Sequence, residues 1–175
     1  MGKPSKLELD AAFQEAKRLI WQEKDQFFLA KSLFALSDQA AELQRLREAS
    51  EAYLKSGRST TAHRRMVSAV NAFRNLYSEN NAGYTVTVNT EELNTAVNAA
   101  SEMRVTNNDP NHIAKCILNL NYMVRHLNLV KHSAERFIRS GMSEQELQNL
   151  ENALKSYRRA ETRTAGEDLP SYPVY

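Results

Sequence analysis

Between Pro110 and Gly141 no glycine or proline interrupts the chain. Apolar side chains recur there at every third or fourth position: Ile113, Cys116, Ile117, Leu120, Met123, Val124, Leu127, Val130, Ala134, Phe137 and Ile138. That spacing follows the 3.6-residue period, so the set is buried together only if the segment is one long amphipathic helix. The whole chain is equally poor in turn formers, with five glycines and four prolines in 175 residues. Long periodic segments joined by short connections give an all-α fold, a bundle of five or six helices.

The capping signals set the helix ends. Ser5-Lys6-Leu7-Glu8 is a capping box, in which the serine accepts a first-turn N–H and the glutamate reaches back. The periodic pattern then runs without Gly or Pro to Gly57, which suits a left-handed helix terminus. A helix of about 50 residues is far above the average length, so a kink or break is expected near 36–38, at Ser37-Asp38. Ser59 or Thr60 caps a helix over 61–78, and Asn89 with Glu92 caps one over 90–104. Asp109 followed by Pro110 reads as an N-cap with proline at the first helical position, opening a helix to Ser140. Ser143-Glu144-Gln145-Glu146 opens a last helix to about residue 160. The segment 78–90 is an irregular loop or short strand, since Tyr84–Val88 alternates as a strand does. The expected organisation is a single helical domain over 1–160 and an extended tail over 161–175. No internal repeat and no low-complexity segment stands out along the chain.

No apolar run approaches the length of a membrane helix, and the first residues lack the apolar core of a secretory signal. The single cysteine, Cys116, excludes an internal disulfide, and with these features favours a cytoplasmic location or a virus assembled there. No P-loop, nucleophile elbow, dinucleotide glycine pattern or zinc-helix motif is present, so catalysis is not expected. His63, His112, His126 and His132 show no metal-ligand spacing, and neither metal nor cofactor is expected.

The charge distribution carries the functional signal. Residues 58–78 hold Arg58, Arg64, Arg65 and Arg74 with no acid, and residues 111–141 hold five basic side chains against Glu135 alone. The segment between them is acidic. On the long helix, Lys115, Asn119, Tyr122, Arg125, His126, His132, Arg136 and Arg139 fall opposite the apolar stripe. Arginine and lysine displace counterions from phosphates, and an exposed aromatic can stack on a base. Solvated helix faces usually mix both signs, so acid-poor faces favour an anionic partner. The candidate nucleic-acid contacts are Arg64, Arg65, Arg74, Lys115, Tyr122, Arg125, His126, Arg136 and Arg139.

These features point to a non-enzymatic helical subunit that contacts the backbone of RNA or DNA within a larger nucleoprotein assembly, alongside other protein subunits or further copies of itself. In size and helical character the chain resembles the small helical subunits of multi-subunit CRISPR effector complexes and helical viral nucleocapsid proteins, a likeness of fold class and not of motif. The alternative is a protein–protein adaptor or scaffold without nucleic-acid contact. Under it, the aromatic stretch at Trp21, Phe27 and Phe28 and the tail residues Leu169, Tyr172, Val174 and Tyr175 hold partners.

Overall fold

The computed structural model describes residues 2–77 and 87–165, and for Ala165 the backbone alone. They form six helices: α1 (Lys6–Trp21), α2 (Leu29–Lys55), α3 (Thr60–Leu76), α4 (Thr90–Val105), α5 (Ile113–Arg139) and α6 (Glu144–Ala165). The all-α bundle expected from periodicity is therefore present, and there is no strand among the described residues. Residues 84–86 of the strand-like segment, and the tail beyond Ala165, lie outside the described residues. Residues 161–165, expected to be extended, continue α6.

The break in the first half is not at 36–38. Helix α2 continues without interruption through Ser37 and Asp38, and the break lies at 22–28. The cause is Asp25, whose two carboxylate oxygens accept the N–H groups of Ala30 and Lys31, each at 3.0 Å. A carboxylate there satisfies donors that a helix start leaves open. Glu23 and Phe28 sit at φ +54 and +56 to make the turn. Asp109 does the same for α5: its oxygens accept from Ala114 at 3.0 Å and Lys115 at 2.9 Å. Pro110 is therefore not the first helical residue. The helix opens at Ile113, after His112 at φ +58.

That parallel extends along the chain and overturns the reading that no repeat is present. Residues 84 apart correspond throughout. Ser5 and Asn89 are both capping-box N-caps, answered by Glu8 and Glu92. Helices α1 and α4 each have 16 residues, and α2 and α5 each have 27. The positive-φ residues match in pairs: Glu23 with Asn107, Phe28 with His112, Gly57 with Gly141, Arg58 with Met142. So do buried positions, among them Ala12 with Ala96, Ala16 with Ala100, Leu33 with Ile117, Leu43 with Leu127 and Met66 with Leu150. The chain is two copies of one three-helix element, α1–α3 and α4–α6.

The copies are not separate domains. The contacts divide the chain into two compact units, and each unit takes residues from both copies. In the first unit (Met1–Ser37, Val86–Tyr122 and Glu161–Tyr175), Lys31 of α2 reaches Glu92 of the second copy at 2.7 Å. Lys115, its counterpart, reaches Glu8 of the first copy at 2.8 Å. In the second unit (Asp38–Thr85 and Met123–Ala160) the exchange recurs. Arg74 of α3 pairs with Glu135 of α5 at 2.9 Å, and its counterpart Arg158 of α6 pairs with Glu51 of α2 at 3.2 Å. Lys131 lies over the Phe73 ring and its counterpart Arg47 over the Tyr157 ring, both with centroid distances of 5.2 Å. Tyr53 and Phe137, counterparts of each other, meet at 5.7 Å. Contacts that exchange in this way are those of an isologous pair, here within one chain.

The two aspartate turns give a direct test. Asp25→Ala and Asp109→Ala should each lower the unfolding free energy by about 1–2 kcal/mol, measured by urea denaturation, because each strands two N–H groups at a helix start. A change below about 0.3 kcal/mol in both variants would remove this account of the breaks.

Candidate nucleic-acid interface

The expected basic residues divide between the two units. Lys115 and Tyr122 belong to the first, and Arg64, Arg65, Arg74, Arg125, His126, Arg136 and Arg139 to the second.

In the first unit, Lys115 is not available to a ligand. Its side chain is 13% exposed, and its ammonium donates to Glu8 at 2.8 Å. His112 sits 3.6 Å from the same carboxylate. The hydrogen bond from Lys115, reinforced by the Ser5 N–H, outweighs partial burial and holds Glu8 at a pKa of about 2, against an ordinary value of 4.5. Tyr122 is half-buried, which weakens its role as a stacking platform. Asn119, read as part of the polar face, is buried instead, and its Nδ2 has no hydrogen-bond partner. Cys116 is fully buried, and burial pushes its thiol up to about 12, leaving it an apolar filler with no thiolate character.

In the second unit, α3 and α5 lie side by side, as the contacts of Arg74 with Glu135 and of Lys131 with Phe73 require. Arg74 is structural. Glu135 is buried; burial opposes its ionisation, but the Arg74 hydrogen bond and the charges of Lys131, Arg74 and His132 outweigh that and lower its pKa. Arg136 is exposed but spans to Glu146 of α6 at 2.8 Å. His126 is half-buried, with its Nδ1 3.4 Å from the Ser156 hydroxyl. Arg64, Arg65, Arg125 and Arg139 remain: all four are exposed, and none forms an ion pair among the described residues. On α3 the exposed stripe is Arg64, Ser68, Asn71 and Asn75, and on α5 it is Arg125, His132, Arg136 and Arg139, both at helical spacing. A shallow surface depression over His63, Arg64, Val67, Ser68 and Asn71 marks the α3 stripe.

Comparison of the copies shows how unequal the charge is. Residues 60–76 carry three arginines and no acid, and residues 123–139 carry four basic side chains and one acid, net +6 together. Their counterparts, 144–160 and 39–55, each carry three basic and three acidic side chains, net zero. The exchanged packing sets α3 against α5, so the two cationic helices of the unit are neighbours although they come from different copies. Sequence reasoning singled out both helices but had no signal for the pairing of Arg74, Lys115 and Arg136. Their acidic partners lie 61, 107 and 10 residues away in the chain.

Among the described residues, no group of three His, Cys, Asp or Glu side chains is placed to hold a metal ion, and no described helix is long and apolar enough to cross a membrane.

Two measurements separate structural from free charges. Arg74→Ala should cost about 1.5–3 kcal/mol of unfolding free energy by losing a hydrogen bond to a buried carboxylate, whereas Arg64→Ala should stay within about 0.5 kcal/mol. Because the folded pKa of Glu8 is depressed, its stabilising contribution is complete above pH 4.5 and is lost as pH falls from 4.5 toward about 2. Lys115→Met should move the Glu8 carboxyl titration, followed by 13C NMR, upward toward 4.5. An unmoved midpoint would show that Lys115 does not hold the carboxylate.

No family model, no curated protein and no solved structure matches this chain.

Proposed function

We propose that the protein is a non-enzymatic subunit that contacts a nucleic-acid backbone through α3 and the second half of α5, as part of a larger assembly. The observation that carries this reading is the charge inequality between the copies. A duplicated fold offers two equivalent flanks; one is electrically balanced, and the other concentrates net +6 on adjacent helices with four arginines unpaired within the described chain. Fold stability gives no reason for that imbalance, because the balanced flank packs in the same way. A polyanion does, since each phosphate neutralised by arginine releases condensed counterions. The contacting set is Arg64, Arg65, Arg125 and Arg139. Arg136 joins if it leaves Glu146, while Arg74 and Lys115 act in the fold. Contacts to phosphates position a chain without reading bases, so little sequence preference is expected.

The adaptor reading retains one specific support. Trp21 and its counterpart Val105 are both 86% exposed, at the ends of α1 and α4. Tryptophan is enriched among the residues that anchor protein interfaces. Both readings place the chain in an assembly, and they differ in which surface the assembly needs.

Fluorescence anisotropy with labelled single- and double-stranded 25-mers of RNA and DNA tests the proposal. Binding at 50 mM salt should weaken with a log–log slope of about −3 to −4, as expected for four phosphate contacts. The double reversal Arg64→Glu with Arg125→Glu should reduce affinity at least about tenfold, while Glu48→Lys on the balanced flank should not reduce it. Absence of binding to all four probes at 50 mM salt would end this reading in favour of the adaptor.

A further inference from the structure

Helix α1 has two contrasting faces. Ala12 and Ala16 are fully buried in the first unit. On the opposite side, at 3-4 spacing, lie Leu7, Ala11, Gln14, Arg18 and Trp21. Leu7 is 81% exposed and Trp21 86%. The matching stripe on α4 is Glu91, Thr95, Asn98, Glu102 and Val105, all exposed and polar except for the last. Packing within the chain therefore does not call for a leucine and a tryptophan on that side of the helix. One border of the α1 stripe carries Asp10 and Lys17, both exposed and neither in an ion pair among the described residues. Their α4 counterparts, Asn94 and Ser101, are uncharged.

We propose that this stripe is a self-association surface, on which α1 of a second copy of the chain lies antiparallel. The stripe is complementary to itself. The midpoint between Leu7 and Trp21 is Gln14, and the midpoint between Asp10 and Lys17 falls between Phe13 and Gln14. One twofold axis near Gln14 therefore serves both pairs. Trp21 of each copy covers Leu7 of the other, and Asp10 of each meets Lys17 of the other. Charges bordering a helix seam set its orientation, and here they select the antiparallel one. A parallel pair would set Asp10 against Glu15 of the other copy, a like-charge contact. In the antiparallel pair the second border brings Glu8 and Glu15 together, and each is already held by a cation of its own chain, Lys115 and Arg18. From Leu7 to Trp21 the helix rises about 21 Å, so the contact is a single helix pair, at the small end of specific interfaces, below about 1,200 Å2. The dimer is accordingly reversible. It uses none of the residues assigned to nucleic acid, which apart from Lys115 and Tyr122 lie in the second unit.

Sedimentation velocity on the full chain, freed of nucleic acid, from about 10 μM to 1 mM tests this, and a reversible dimer is expected. Trp21→Glu should weaken it at least about tenfold with helicity unchanged, while Val105→Glu on the matching α4 stripe should leave it intact. Asp10→Lys and Lys17→Asp should each weaken it alone, by placing like charges together. A one-to-one mixture of those two variants should associate as the parent chain does, because every cross-pair is then of opposite charge. A monomer throughout the concentration range would overturn the proposal. So would a dimer indifferent to Trp21→Glu, or a mixture that associates no better than its two components.

Discussion

Tyr53 and Phe137, both buried, meet within the second unit, each the other's counterpart in the duplicated chain. Their contact expresses the constraint on which the structure depends: neither three-helix copy can bury the apolar stripe of its long helix alone. A helix pair with a short flanking helix leaves one side of α2 or α5 bare, and the other copy covers it. Leu43, Leu46, Leu127 and Val130 are all essentially buried as a result. The polar exchanges follow from the same packing. Glu51 and Glu135 become buried or nearly so, and each must be met by a cation from the opposite copy; Arg158 and Arg74 supply it. Glu8 and Glu92, needed at their own helix starts, also receive Lys115 and Lys31 from the other copy.

Much of the architecture was legible in the sequence, because local chemistry dictates it. The capping residues Ser5, Ser59 and Asn89, the left-handed Gly57 and Gly141, and the buried stripe of α5 act within a few residues of themselves. The break after Trp21 was missed because Asp25 caps five and six residues ahead instead of three, and Phe28 takes a positive φ that an aromatic rarely adopts. The same unusual cap at Asp109 was read as an ordinary proline-led start. The duplication was missed because its matched positions, apolar, capping and ion-pairing, are scattered along the chain, while the surfaces between them differ: Trp21 stands opposite Val105, and Arg64 opposite Gln148.

The candidate site was legible only in part, for an electrostatic reason. Sequence reveals which segments are rich in cations but not which cations are neutralised by partners far away in the chain. Arg74, Lys115 and Arg136 looked equivalent to Arg64, Arg125 and Arg139 until their carboxylates were located. What survives is smaller but more coherent: four arginines without an ion pair among the described residues, on two helices that the exchanged packing makes neighbours. Duplication supplies an internal control, since the balanced flank shows that the same packing does not require the net charge of α3 and α5.

That inequality is open to one direct measurement. Ultraviolet crosslinking of the protein to bound RNA or DNA, followed by mass spectrometry of the modified peptides, reports which flank lies against nucleic acid. The account predicts adducts within residues 60–76 and 123–139, and few or none within 39–55 and 144–160. Equal labelling of both flanks, or labelling confined to the balanced one, would contradict it.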